Sequence, residues 1–280
     1  VVFKYRYNYM TKKEKFDINS LIENSGHDFH DKVISLFSEH DWQTLPSQYY
    51  VDIITKKRRE IDIIASKEFT ASDIFQESSK KLKINLYIDV KHIPNHNVFW
   101  FEEKDIEKAE KLAMDNFILR RERNICLKNT SVIPNIIHHY IQDNKASRKW
   151  SFEKKKGYKD DIFFSAQEQV LHSLLHYSKN SSYNEIHYPV IIINSFDKIF
   201  IRDNGEAIPA KNNFQIQIDY SHGADKIKKS DYFLIDIIAF EFLSNFIEQI
   251  ESNDIKILLD HLRFNLRTNK PKQYKPRSFR

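Results

Sequence analysis

The chain has 280 residues, 41% of them hydrophobic and with 21 Phe and 14 Tyr among them, enough to bury a sizeable core in one large domain or a domain plus a smaller unit. Charged residues make up 30%, but both signs are interspersed and the net charge is only +5, so global charge argues weakly for a polyanionic partner and local charge must carry that case. The single cysteine, Cys126, excludes an intramolecular disulfide and a cysteine-based zinc site. The four glycines, Gly26, Gly157, Gly205 and Gly223, are too dispersed for a phosphate-cradling loop.

No apolar run approaches the ~18 residues of a bilayer span, so no membrane partner is expected. Cysteine usage points to a reducing compartment, and the expectation is a cytoplasmic protein.

In chain order, VVFKYRYNYM alternates like a strand, and the first clear helix follows Gly26. There HDFHDKVISLFSEH sets Phe29, Val33, Leu36 and Phe37 on one face, with Asp28 as the expected cap. QTLPSQYYVDIITKKRREIDIIASKE reads as two strands joined by the polar turn TKKRR, and FTASDIFQESSKKLK as a loop or short helix. NLYIDVKH is a strand. After a loop, EEKDIEKAEKLAMDNFILRRERN reads as a helix with an apolar stripe through Ile106, Ala109, Ala113, Phe117 and Leu119.

The stretch SRKWSFEKKKGYKDD is the most linker-like of the chain. A second helix is expected from Ser165, with the capping box Ser165-x-x-Glu168 and with Val170, Leu171, Leu174 and Leu175 facing inward. YPVIII, FDKIFIRDNG, FQIQIDYS and YFLIDII read as strands, followed by a helical region from about Glu241 to Leu266 and a basic tail. This order predicts an α/β or α+β fold, a central mixed β-sheet flanked by helices. The expected division is a core over residues 16–200 and a C-terminal accessory region over 201–280, in the same domain or beside it.

The chemistry concentrates in NLYIDVKH. Leu86, Ile88 and Val90 alternate apolar, while Tyr87, Asp89 and Lys91 point to the other face. Acidic-x-Lys also occurs at Glu102/Lys104, Asp143/Lys145, Glu153/Lys155 and Asp254/Lys256, mostly in polar surroundings where a solvated pair is the natural reading. Asp89/Lys91 differs by sitting on an apolar strand, where burial costs several kcal/mol per ion unless a metal or ligand offsets it. The preceding strand, REIDIIAS, carries Glu60 and Asp62 on one face and Ile61 and Ile63 on the other. Paired side by side, the two strands would bring Asp62 and Asp89 together. Two carboxylates at close range repel unless a cation lies between them, and an oxygen-only donor set favours Mg²⁺ or Mn²⁺ over zinc. With Lys91 beside them to orient a water or stabilise a phosphate, the set suits phosphodiester hydrolysis.

The helix with FHDKV, then REIDIIA, then LYIDVKH resembles the PD-(D/E)XK nuclease superfamily, in particular its restriction-endonuclease-like members, over roughly residues 26 to 125. The resemblance implies a metal-dependent DNA endonuclease of prokaryotic restriction or anti-phage defence, with Asp62, Asp89 and the Val90 carbonyl as metal ligands and Lys91 catalytic. Many members carry a Glu on the first helix where this chain has His30, flanked by Asp28 and Asp31. His30 thus stands either as a functional group or as a structural histidine. The alternative class is a nucleic-acid-binding or assembly subunit of a larger complex that keeps the fold without the chemistry; a third reading is an RNase.

Elsewhere, Gln167 near the start of the second helix is a candidate substrate contact or a buried structural amide. Lys154, Lys155, Lys156, Lys226, Lys228 and Lys229 are candidates for the DNA backbone or a solvated surface. Glu60 is expected to pair with a Lys or Arg. His172 and His176, an i, i+4 pair without the Glu of a zinc helix, are expected on a solvated face.

Overall fold

The computed structural model of the chain describes residues 26–70, 81–115, 137–154, 161–179, 185–222 and 229–257. Among them, the strands form one mixed ten-stranded sheet. Its order is β1 (Gln43–Val51), β2 (Arg58–Thr70), β3 (Lys81–Lys91), β6 (Glu185–Ile193), β10 (Lys229–Ala239), β9 (Phe214–His222), β5 (Lys145–Phe152), β4 (Asn97–Glu103), β7 (Ile199–Arg202) and β8 (Ala207–Pro209). The helices are α1 (His27–Glu39), α2 (Ile106–Asp115), α3 (His139–Gln142), α4 (Ile162–Ser178) and α5 (Leu243–Gln249). A mixed α/β sheet flanked by helices is what the order of sequence elements predicts.

Strand alternation builds two cores, one on each face. Leu82, Ile84, Leu86, Ile88 and Val90 of β3 pack with α1, α2, α3 and α5, while Tyr87 turns to the opposite core with Val170, Leu171 and Leu174 of α4. β6 is covered on both faces, which is why its YPVIII stretch is a continuous apolar run, with parallel neighbours β3 and β10. The expected boundary at 200/201 falls inside this sheet. β10 and β9 sit between β6 and β5, so the region after residue 200 supplies central strands.

Several local expectations are corrected. Helix α1 is capped at Gly26, whose φ of 77° is left-handed and suits glycine; Asp28 lies in the first turn instead, favourably placed against the helix dipole. Helix α4 starts three residues before Ser165, with Asp161 as its cap accepting from the Phe164 N–H at 3.0 Å. Glu168 is drawn away from the expected capping box to His172 Nε2, at 3.0 Å. NVFWFEE forms β4, and the linker-like SRKWSF belongs to β5, paired antiparallel with β4 through an irregularity at Trp100/Phe101. Phe117, Leu119, Cys126, Lys155, Lys156, Lys226 and Lys228 lie outside the described residues, as do the stretches 1–25, 71–80 and 258–280.

Candidate active site

Antiparallel pairing of β2 with β3 reaches Ile63↔Ile88. Two residues beyond Ile88, the main chain of Val90 has no β2 partner and donates its N–H to Asp62 Oδ2 at 2.9 Å. The carboxylate therefore stands in for a strand bond and is fixed beside β3. The expected alternation around it is not kept: Ile61 and Ile63 are both fully buried, but in opposite cores. Asp89 and Lys91 share the α4 face with Tyr87, and Lys91 Nζ lies 2.8 Å from Asp89 Oδ1 and 3.8 Å from Asp62 Oδ2. The predicted convergence of Asp62, Asp89 and Lys91 is present.

Burial separates their roles. The Asp89 side chain is wholly enclosed, whereas those of Asp62, Lys91 and His30 are 16%, 24% and 29% exposed and form the mouth. Burial pushes the Asp89 carboxyl up to about 8; Lys91 opposes this and the Asp62 charge reinforces it. Burial alone would pull the Lys91 ammonium down, but Asp89 and Asp62 outweigh it and hold it above its ordinary value. The second oxygen of Asp89, Oδ2, is buried without a hydrogen-bond partner. An orphaned carboxylate oxygen beside a second carboxylate fits a hard divalent cation, with the nitrogen groups of Lys91 and His30 at the mouth.

Two further side chains reach Asp62. His30 Nε2, from α1, is 3.8 Å from Oδ2. Asp28 and Asp31, its sequence neighbours, are exposed. Gln169 Nε2, from α4, donates to Oδ1 at 3.2 Å. Gln167, the glutamine singled out from sequence, is buried in the same helix, so it is Gln169 that attends the carboxylates. Lys154 is exposed. Glu60 lies opposite Tyr49 in the β1–β2 pair and holds the Tyr49 hydroxyl above its ordinary value, and no ion pair of Glu60 with Lys or Arg is formed among the described residues.

Sequence reasoning missed two buried polar clusters. His172 is enclosed and bonded through Nδ1 to Asp52 Oδ2 at 2.5 Å, with Tyr220 OH at 2.8 Å from Nε2. It is therefore a buttress between α4 and the β1–β2 turn, not part of a solvated face. Asp52 also accepts from Ile54 N, Thr55 Oγ1 and Arg59 Nε, which fastens that turn.

The other cluster joins His138, His139 and Asp254, whose ligand-capable atoms lie within 4.8 Å of one another and could hold a metal. Hydrogen bonding already accounts for them. His138 Nδ1 accepts from the Tyr140 N–H at 3.1 Å, which leaves the proton on Nε2, 3.1 Å from Tyr188 OH. His139 is clasped between Asp254, through Nδ1, and Asp236 Oδ2, 3.3 Å from Nε2. Lys104 and Asp254, from triplets expected to be solvated, are both buried here, Lys104 Nζ donating to Gln215 Oε1 at 2.7 Å. The adjacent His138-His139 within the apolar run IIHHYI was the one sequence signal for this cluster.

Comparison with protein-family models, with curated proteins and with solved structures found no match to the chain.

Proposed function

We propose that this chain is a Mg²⁺- or Mn²⁺-dependent endonuclease that hydrolyses DNA phosphodiester bonds from a restriction-endonuclease-like core, in prokaryotic restriction or anti-phage defence. The observation that carries the reading is the pairing of Asp62 with the buried Asp89, whose Oδ2 lacks a partner, beside a solvent-accessible Lys91. The substrate class and the biological setting rest on the motif resemblance.

Asp62, Asp89 and the main chain at Val90 would hold the ion, which when bound supplies charge neutralisation and a more acidic water. The chain's own residues do the rest. Lys91, held cationic by the two carboxylates, is placed to orient the nucleophile or to stabilise charge on the phosphate. Gln169 and the Val90 N–H fix the two oxygens of Asp62. His30, at the mouth, can contact water or phosphate, and Lys154 with its neighbours Lys155 and Lys156 can contribute backbone affinity that is blind to sequence.

Incubating plasmid DNA with the protein and Mg²⁺, Mn²⁺ or EDTA, beside an RNA of matched length, tests the proposal. DNA cleavage that needs the metal and is lost in Asp62→Ala is expected; cleavage of RNA alone would make the protein an RNase. One residue favours a second reading: His30 stands where the resembled family carries Glu. A folded protein that binds neither ion, with or without DNA, would be a non-catalytic nucleic-acid-binding or assembly subunit.

A further inference from the structure

Strand β6 is hydrogen-bonded to β3 along its length, from Lys83↔Glu185 to Lys91↔Ile193, and β10 to β9 from Lys229↔His222 to Ile237↔Phe214. Between β6 and β10 the ladder runs only from Val190↔Asp236 to Ile193↔Ala239. N-terminal to that stretch each strand keeps its outer partner and parts from the other. The split begins at Pro189, which has no N–H to offer. A cavity of about 580 Å³ occupies the wedge, lined by His187 and Pro189 of β6, Tyr232 and Phe233 of β10, and Leu174 and Leu175 of α4. That volume falls in the range of small-molecule sites, ~300–1,000 Å³.

The lining is mixed, with Asp219, Asp231, Lys108 and Lys111 among its polar members, and one buried polar side chain in it is unfinished. His187 is 3% exposed, its Nδ1 is 3.0 Å from Tyr87 OH, and its Nε2 is buried with no partner. Burial keeps His187 down at about 4, so at neutral pH the ring is uncharged. Nδ1 is the one hydrogen-bond partner of the Tyr87 hydroxyl among the described residues, so donation from Tyr87 to Nδ1 is the arrangement that leaves no phenol hydrogen unpaired, and it puts the ring hydrogen on Nε2, where it needs an acceptor. A buried donor left in this state costs ~1–3 kcal/mol. At the rim, the Lys108 ammonium is taken up by Asp219 at 3.1 Å, while Lys111 is exposed beside it.

We propose that the wedge between β6 and β10 binds a small monocarboxylate with an apolar body, the body lying between α4 and β10 and a carboxylate oxygen accepting from His187 Nε2. Lys111 supplies the countercharge at the rim. The site is separate from the carboxylate centre, yet Tyr87 joins the two: it bonds His187 and lies two residues before Asp89 on the same face of β3.

The test uses 1-anilinonaphthalene-8-sulfonate as a fluorescent probe of the folded chain, displaced by phenylacetate or by 2-phenylethylammonium, which has the same ring and the opposite charge. One probe per chain is expected, displaced by phenylacetate and not by the ammonium. Leu174→Trp, which fills the wedge, should abolish binding. His187→Phe, which keeps the ring stacking and removes the donor, should weaken phenylacetate about tenfold, the scale of one hydrogen bond. Asp62→Ala should bind as the wild type does, so loss of nuclease activity and loss of this site are read separately. Circular dichroism and melting establish that each variant is folded. No probe bound by folded wild type, equal displacement by both competitors, or unchanged binding in both folded wedge variants would overturn the proposal.

Discussion

Lys91 donates to Asp89 across 2.8 Å, an ion pair two residues apart on one strand whose acidic member is fully enclosed and whose basic member reaches solvent. Such an asymmetric pair gains little stability by itself, because burying the carboxylate costs several kcal/mol before the attraction offsets it. Asp89→Asn should therefore abolish cleavage and, above about pH 8 where Asp89 is ionised, stabilise the metal-free protein by about 1 kcal/mol, since an amide can donate toward Asp62 where the carboxylate repels it. Urea denaturation in EDTA beside a plasmid assay checks both halves. A destabilised, still active variant would remove Asp89 from the site.

Lys91→Ala should leave divalent-ion binding within a few-fold of wild type and slow single-turnover cleavage by ~10²-fold, the scale for one preorganised electrostatic group. Calorimetric metal titration beside rapid-quench kinetics separates the two effects. Cleavage at the wild-type rate would take Lys91 out of the mechanism.

The two glutamines of α4 should part company. Gln169→Ala removes the 3.2 Å bond to Asp62 Oδ1 and should lower the cleavage rate with little change in melting temperature. Gln167→Ala, at a buried position, should lower the melting temperature without a selective loss of rate. Equal effects on rate at equal stability would leave the Asp62 contact without a role.

The His139 clasp should make stability depend on pH. Burial pulls His139 down, but Asp254 and Asp236 more than offset it and hold it at about 10. Its folded value thus lies above the unfolded ~6.5, so its contribution is complete below ~6.5 and is lost as pH rises toward 10. Lys104, pushed down to about 8 by burial, acts in the opposite sense over the upper part of that window. The readout is therefore the difference between wild type and His139→Gln, which should shrink from pH 7 to pH 10. At pH 7 the variant should lose roughly 3–5 kcal/mol, because two buried carboxylates remain without their cation. A pH-independent difference would show that His139 is not held charged.

Much of the architecture was legible because it is written in short-range periodicity. The two-residue alternation of β3 and the apolar run YPVIII within β6 specify buried strands, and the spacing of Val33 and Phe37 specifies the inner face of α1. β4 and β5 were not legible. NVFWFEE and SRKWSF mix charges and aromatics with no clean period, and they become strands because they pair with each other across a bulged ladder. Propensity is overridden there by a partner some fifty residues away in sequence.

The candidate site divides the same way. Strand alternation in NLYIDVKH already places Asp89 and Lys91 on one face of an apolar strand and allows an acidic residue of the preceding strand to join them. Which groups complete the set follows from packing alone. Gln169 rather than Gln167 reaches Asp62 because the rotation of α4 about its axis is set by Val170, Leu171 and Leu174 packing on the sheet. His172 is buried rather than solvated because Asp52, from a turn 120 residues earlier, needs a donor. Local alternation fixes a side chain's face; which atoms meet across that face depends on contacts distant in sequence, and no window of residues contains them.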